Sequence, residues 1–136
     1  MAQSLEGVRV LVVEDDFLVS LLLEDVLTSV GCVILGPVPR LADALDVAAK
    51  EHCDVAVLDV NLAGESVYPV AAVLSERNVP FVFVTGYGYD AIPHEYAGQP
   101  RIAKPFSAEQ LSGAISRAIR TPDDHRSGSS DLGGYR

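Results

Sequence analysis

Short apolar runs alternate along the chain with longer segments in which apolar residues recur every three or four positions. The short runs predict β-strands and the longer segments predict α-helices. The predicted strands are residues 9–13, 32–36, 54–59, 79–85 and 101–103. The predicted helices are residues 16–30, 41–52, 66–78 and 107–120. Glycines and prolines interrupt residues 86–100, so any helix in that segment is expected to be short and weakly formed.

Two local patterns support the helices at either end of this series. In the first predicted helix, Leu18, Leu22 and Val26 recur at helical spacing and predict one apolar stripe. In the last one, Ser107 is followed three positions later by Gln110, which is the pattern of a capping box.

The strands are nearly all apolar and are separated by helices, which indicates a parallel sheet covered on both faces. Right-handed crossovers then predict a doubly wound α/β fold, a flavodoxin-like (βα)5 three-layer sandwich with strand order 2-1-3-4-5. Residues 121–136 are polar and predict a disordered tail, so the folded domain is expected to span residues 1–120.

Composition and charge narrow the possible functions. The formal net charge of −9 argues against direct nucleic-acid binding, which depends on clustered Lys and Arg. Acidic residues interrupt the apolar stretches, so no membrane span or signal peptide is predicted. Cys32 and Cys53 are isolated in the sequence and are expected to be reduced in a cytoplasmic protein.

Polar residues collect where the predicted strands end. Glu14 and Asp15 follow the first strand, Asp59 ends the third, Thr85 ends the fourth and Lys104 follows the fifth. The carboxyl ends of parallel strands meet at one edge of a doubly wound sheet, where ligands bind. Several carboxylates at one site repel each other unless a cation neutralises them, and Mg²⁺ prefers such oxygen ligands.

Each of these residues has an ordinary structural interpretation when it is considered alone. Asp16 is expected to cap the first helix, a strand-end Asp is usually a turn residue, and a Lys is usually a solvated surface charge. The convergence of complementary groups on one edge favours the functional interpretation.

The segments "VLVVEDD", "VAVLDVNL", "FVFVTG" and "IAKPF" resemble the four motifs of response-regulator receiver domains, and the resemblance covers residues 8 to about 120. It implies that Asp59 accepts a phosphoryl group and that Glu14 and Asp15 help to bind Mg²⁺. It also implies that the Asn61 backbone carbonyl binds the metal. The Thr85 hydroxyl and the Lys104 ammonium group would contact the phosphoryl oxygens.

Phosphoryl transfer suits such a site, because it depends on positioning and charge compensation. The resemblance then implies that the Thr85 hydroxyl turns toward the phosphoaspartate and draws the 86–100 segment inward. The chain is expected to catalyse its own phosphorylation and dephosphorylation on Asp59, without being an enzyme that acts on other substrates.

The sequence departs from the receiver pattern at three places. Receivers usually carry Tyr or Phe three residues before the lysine, and this chain has Arg101 there. Gly86 and Tyr87 follow Thr85, which resembles a receiver subgroup with an "FxTGY" motif. The loop "VNLAGES" after Asp59 is shorter than usual and lacks the common proline. Thr85, Gly86, Tyr87 and Arg101 are therefore expected to form the switch and partner surface.

Three other functions were weighed. A haloacid-dehalogenase-like phosphatase would need an Asp as general acid and base where this chain has Asn61. A flavodoxin-like FMN binder is disfavoured by the acidic residues after the first strand. A receiver-like interaction module that takes no phosphate is the third alternative.

The expected protein is a stand-alone response regulator. Its phosphodonor would be a sensor histidine kinase or a histidine phosphotransfer protein. The output would be binding to an unknown downstream protein, or drainage of phosphate from the kinase. The sequence leaves open whether phosphorylation drives homodimer formation.

Overall fold

A computed structural model describes residues 4–86 and 92–128, with side chains up to residue 120. Its central feature is a five-stranded sheet in which every neighbouring pair of strands is parallel. We number these strands β1 to β5, and their order is β2-β1-β3-β4-β5, as predicted. Their bounds are Arg9–Val13, Val33–Val38, Val55–Asp59, Phe81–Thr85 and Arg101–Ala103.

In the described part of the chain, four α-helices cover the sheet. These helices, α1 to α4, are Phe17–Ser29, Leu41–Lys50, Tyr68–Glu76 and Ala108–Gly128. Within its described part, the connection between β4 and β5 contains one helical element, the 3-10 turn His94–Tyr96, which is short as expected. Residues 87–91 lie outside the described residues.

The last helix is longer than predicted. It runs to Gly128, eight residues beyond its expected end at residue 120, and therefore enters the segment for which disorder was predicted. Polar residues can extend a helix that is already formed, because each added residue that has an N–H gains a backbone hydrogen bond. Residues 129–136 lie outside the described residues, and the division into a domain and a tail stays a prediction.

Apolar side chains cover both faces of the sheet. Along β1, Val10 and Val12 pack against α1 and α4, whereas Leu11 and Val13 pack against α2 and α3. This alternation follows from the two-residue period of a strand, and it explains why the sequence of each inner strand is almost continuously apolar.

The buried face of α1 differs from the predicted stripe. Val26 is buried as expected, but Leu18 and Leu22 are 73% and 41% exposed, and Leu23 and Leu27 take the core positions. The run of apolar residues from Phe17 to Leu23 fits more than one helical face. Asp16 caps the start of the helix, and the packing of Leu23, Val26 and Leu27 in the core decides which face meets the sheet.

Paired substitutions test this orientation of α1. The Leu23→Ala variant should lower the free energy of unfolding by about 2–4 kcal/mol, because it leaves a cavity in the core. The Leu22→Ala variant removes the same atoms from a half-exposed position and should cost less than about 1 kcal/mol. Urea denaturation followed by circular dichroism measures both values, and equal costs would contradict the assignment.

Candidate functional site

Two buried carboxylates and one ammonium group meet at the carboxyl edge of the sheet. Glu14 follows β1 and Asp59 ends β3, and their side chains are 1% and 4% exposed. Because Val13 pairs with Leu58 in the parallel register, Glu14 and Asp59 are adjacent across the two strands. The Lys104 Nζ atom lies 3.3 Å from Glu14 Oε2 and 3.4 Å from Asp59 Oδ2. The sequence predicted this convergence.

Asp15 completes a group of three carboxylates. Oxygen atoms of Glu14, Asp15 and Asp59 lie within 4.8 Å of one another, and Asp15 is the exposed member. Asp16 donates its backbone N–H to Glu14 Oε2 at 3.1 Å. Among the described side chains, Glu14 Oε1 is the buried polar atom that has no hydrogen-bond partner. A buried carboxylate oxygen without a partner beside two further carboxylates is a suitable ligand for a cation.

The electrostatic state of Asp59 shows that this site is short of positive charge. Burial and the neighbouring Glu14 carboxyl group raise the pKa of Asp59 to about 8, although Lys104 and the Asn61 backbone N–H act in the opposite direction. Burial lowers the pKa of Lys104, but the attraction of Asp59 and Glu14 is larger and raises it above its usual value. Lys104 therefore stays charged and only partly compensates the two acids.

Asp16 has the capping role predicted for it. Its carboxylate accepts the backbone N–H groups of Leu18 and Val19 at 2.9 and 3.2 Å. It is therefore engaged at the start of α1, whereas Asp15 faces solvent beside the carboxylates.

Thr85 lies on the β5 side of the site. It is 4% exposed, and its hydroxyl donates to the Ile102 carbonyl at 3.3 Å. The Lys104 backbone N–H donates to the Thr85 carbonyl at 3.0 Å, which ties the ends of β4 and β5 together. In this state the Thr85 hydroxyl is engaged by β5. Gly86 follows directly, and Tyr87 lies outside the described residues.

The loop after Asp59 is a small β-hairpin, which the sequence analysis did not anticipate. Asn61–Leu62 pairs with Glu65–Ser66 in antiparallel fashion. Asn61 donates its backbone N–H to Asp59 Oδ1 at 3.3 Å, and its side-chain Oδ1 accepts from Gly64 N–H at 2.7 Å. The available signal was the pair Ala63-Gly64 between residues that can pair as strands, since two-residue turns with glycine connect hairpins.

Arg101 does not fill the space of an aromatic ring. It is exposed, and its Nη2 donates to the Ala97 carbonyl at 3.1 Å, next to the 3-10 turn. That turn instead contributes Tyr96, which is 7% exposed. The ring of Tyr96 stacks on Tyr68 at a centroid distance of 5.8 Å and meets Phe83 edge-on at the same distance. The pattern of the sequence did not identify Tyr96 as a core residue.

An apolar face of α1 lies beside the charged site. The largest exposed hydrophobic side chains of this helix are Phe17, Leu18, Leu21 and Leu22. A shallow groove connects this face to the site, and it is lined by Leu18, Val19, Leu22, Lys104, Pro105 and Phe106. This arrangement joins an apolar contact surface to a reactive edge. Within the described part of the chain, every helix is too short or too polar to cross a membrane.

The raised pKa of Asp59 predicts a pH-dependent stability in the absence of divalent metal. The folded protein holds the Asp59 proton more tightly than the unfolded chain, whose pKa is near 3.8. This contribution is complete below that value and is lost as the pH rises toward 8. The Asp59→Asn variant lacks this loss, so in EDTA it should unfold roughly 3–8 °C above the wild type at pH 8.5 and near it at pH 4.

Thermal unfolding followed by circular dichroism measures this difference. The matched control is Asp54→Asn, directly before the same strand, where the side chain is exposed and accepts the Arg9 backbone N–H. This control should follow the wild type at both pH values. A gain from Asp59→Asn that is equal at the two pH values would contradict the assignment.

Comparison with known proteins identifies similar sequences and similar structures. A probable transcriptional regulator, Ycf27 of Porphyra purpurea, is 30% identical over 119 residues, which cover 85% of this chain. The chain spans about half of that relative's length, 49%. The solution structure of SdrG from Sphingomonas melonis Fr1 is 35% identical with a TM-score of 0.76, covering 83% of this chain and 97% of SdrG.

A third similarity concerns the fold alone. The receiver domain of the sensor histidine kinase PA1611 from Pseudomonas aeruginosa is 24% identical with a TM-score of 0.70, covering 83% of this chain and 98% of that domain. Residues 10–116 match the family described as the response regulator receiver domain, and this match includes the three site residues Glu14, Asp59 and Lys104. The chain therefore belongs to the response regulator receiver domain family, a family of signalling domains.

Proposed function

We propose that this chain accepts a phosphoryl group on the carboxylate of Asp59 from a phosphohistidine of a sensor histidine kinase or a histidine phosphotransfer protein. The observation that carries the proposal is the contact of Lys104 with both Asp59 and Glu14 at the carboxyl edge. An oxygen of Asp59 forms a bond to phosphorus while the phosphorus–nitrogen bond of the donor breaks. The electron pair of that bond stays on the imidazole nitrogen, which takes up a proton.

The residues at this edge fit a magnesium ion. Its ligands would be the carboxylates of Glu14, Asp15 and Asp59 together with the Asn61 backbone carbonyl. The partnerless Glu14 Oε1 and the raised pKa of Asp59 both support a bound cation, because a cation supplies a missing partner and favours the ionised acid. The PA1611 receiver domain, which has the same fold, holds a magnesium ion in its active-site cleft. The ion would compensate the negative charge of the phosphoryl oxygens during transfer.

Lys104 and Thr85 have separate roles in this proposal. Lys104 already lies 3.4 Å from Asp59, so its ammonium group can stabilise the negative charge of the phosphoryl oxygens. The Thr85 hydroxyl, which now donates to Ile102, can transfer its hydrogen bond to the phosphoaspartate. Release from β5 would then change the packing at the end of β4.

The switch and partner surface follows from that movement. Thr85, Gly86, Tyr87 and Arg101 form it in this proposal. Arg101 supports the described part of the surface through its bond to the Ala97 carbonyl. Phe83, which packs against Tyr96, lies two residues before Thr85 on the same face of β4. A shift of Thr85 would therefore also move Phe83 and, through its ring contact with Tyr96, the 3-10 turn.

The rest of the pathway is proposed in outline. The chain signals by binding a downstream protein, by forming a homodimer, or by draining phosphate from its kinase. The free thiols of Cys32 and Cys53 support a cytoplasmic location. A phosphatase activity of the haloacid-dehalogenase type is not proposed, since Asn61 is not an acid and its side chain is bonded to Gly64.

The chemistry is tested by incubating the protein with Mg²⁺ and acetyl phosphate and measuring its intact mass. The wild type should gain one phosphoryl group, because Asp59 is the buried acceptor between Lys104 and the acidic cluster. The Asp59→Asn variant should gain none, and Asp54→Asn, directly before the same strand, should behave as the wild type. EDTA should abolish the adduct. An adduct on Asp59→Asn equal to that on the wild type would overturn the proposal.

The docking of the donor is tested on the apolar face of α1. The Leu18→Glu variant places a charge in the groove beside Lys104, so transfer from a phosphorylated histidine phosphotransfer protein should slow at least about tenfold. Transfer from acetyl phosphate should change far less, because that donor needs no protein surface.

The matched control for this docking test is Val33→Glu. Val33 is also an exposed apolar residue, at 45%, but it lies at the start of the edge strand β2. The two variants introduce the same charge, so an equal slowing by both would show that net charge, rather than the α1 face, controls transfer. Rapid-quench sampling with radiolabelled donor measures the rates.

A further inference from the structure

The hairpin after Asp59 turns through two residues with unusual backbone angles. Leu62 pairs with Glu65, which leaves Ala63 and Gly64 as the two-residue turn. Their φ angles are 51° and 92°, and positive values at both positions are the signature of a type I′ turn. Glycine adopts this conformation without strain, whereas alanine does so at a cost. The turn therefore needs support from other contacts.

Asn61 supplies such a contact and also contacts the proposed phosphate acceptor. Its side-chain Oδ1 accepts the Gly64 N–H at 2.7 Å, while its backbone N–H donates to Asp59 Oδ1 at 3.3 Å. A single residue thus connects the reactive carboxylate to the tip of the hairpin. Asn is well suited to this task, because its short amide side chain can accept from a backbone N–H a few residues ahead.

The base of the hairpin is fixed independently of this side chain. Val60 donates its N–H to the Val84 carbonyl at 3.0 Å and accepts the Val67 N–H at 3.0 Å. Leu62 is 1% exposed and packs in the core. The fold can therefore hold the base of the hairpin without the Asn61 side chain, and that side chain adds a direct bond from residue 61 to the tip.

We propose that the amide side chain of Asn61 is a positioning group for the metal site, an inference that rests on the proposed function. Its bond to the Gly64 N–H keeps the backbone of residues 59–61 in one conformation before an ion binds. The Asn61 carbonyl, which is a proposed ligand, is thereby ordered before the ion arrives. The entropy cost of ordering the loop is then met when the protein folds, so it does not lower the affinity for the metal.

The test compares the affinity of the metal-free protein for Mg²⁺ among three variants, measured by titration of backbone amide NMR signals. The Asn61→Ala variant removes the acceptor, so its affinity should fall roughly three- to tenfold, the effect of losing one hydrogen bond. The Asn61→Ser variant keeps a shorter acceptor and should fall between this variant and the wild type. The Ala63→Gly variant removes the strain of an alanine at positive φ and keeps the acceptor. Its affinity for Mg²⁺ should stay within about twofold of the wild type.

A second readout separates positioning from a general loss of structure. Hydrogen exchange of the Gly64 amide in the metal-free protein should become faster in Asn61→Ala, while the amides of β3 keep their protection. Faster exchange at Gly64 with unchanged Mg²⁺ affinity would overturn the inference, because the bond would then serve only the turn. Loss of protection throughout β3 in both Asn61 variants would also overturn it, since the residue would be needed for folding.

The outcome for the wild type distinguishes this inference from the proposed function. A wild type that binds no Mg²⁺ and takes no phosphoryl group from acetyl phosphate defeats both. A wild type that binds Mg²⁺ and is phosphorylated, alongside an Asn61→Ala variant with the same affinity, defeats only the positioning role.

Discussion

The contact of one lysine with two buried acids determines how this site is built. Glu14 and Asp59 are held by adjacent strands, where they repel each other out of contact with water. Lys104 directly follows β5 at the same carboxyl edge of the sheet, and its ammonium group contacts both acids. A buried pair of like charges is tolerated only with compensation, and one ammonium group is insufficient, as the raised pKa of Asp59 shows. The sheet edge is thus stable as a structure but incomplete as a set of charges, which favours a bound cation.

The residues that sequence alone placed correctly are those fixed by the sheet. Strand order, the edge position of Asp59 and its approach to Lys104 all follow from apolar strands, right-handed crossovers and the parallel register. The exposed side of α1 could not be predicted, since Phe17 to Leu23 is apolar around most of the helix and only packing chooses a face. The hairpin after Asp59 escaped because an alanine takes a left-handed position that pattern rules assign to glycine or asparagine. Tyr96 was not placed in the core because its burial depends on a 3-10 turn that the spacing of apolar residues does not indicate.

Two contacts beside the site, those of Arg101 and Asn61, differ from what the sequence indicated for these residues. The ring that packs against β4 comes from Tyr96 in the 3-10 turn, while Arg101 ties that turn from outside through the Ala97 carbonyl. The Asn61 side chain, considered at first as a missing acid, is bonded to the tip of a hairpin. In both places a side chain bonds to a backbone group within a short connection, the Gly64 N–H in the hairpin and the Ala97 carbonyl beside the turn.

The outward leucines of α1 also affect how copies of this chain behave toward one another. An apolar face of this kind favours self-association, which the formal charge of −9 opposes by repulsion between copies. Repulsion of this kind weakens as salt shortens the Debye length, whereas the attraction between apolar surfaces does not. Ionic strength therefore sets the balance between separate and associated molecules in a concentrated solution. A surface that would serve recognition thus makes the colloidal stability of the protein dependent on its own negative charge.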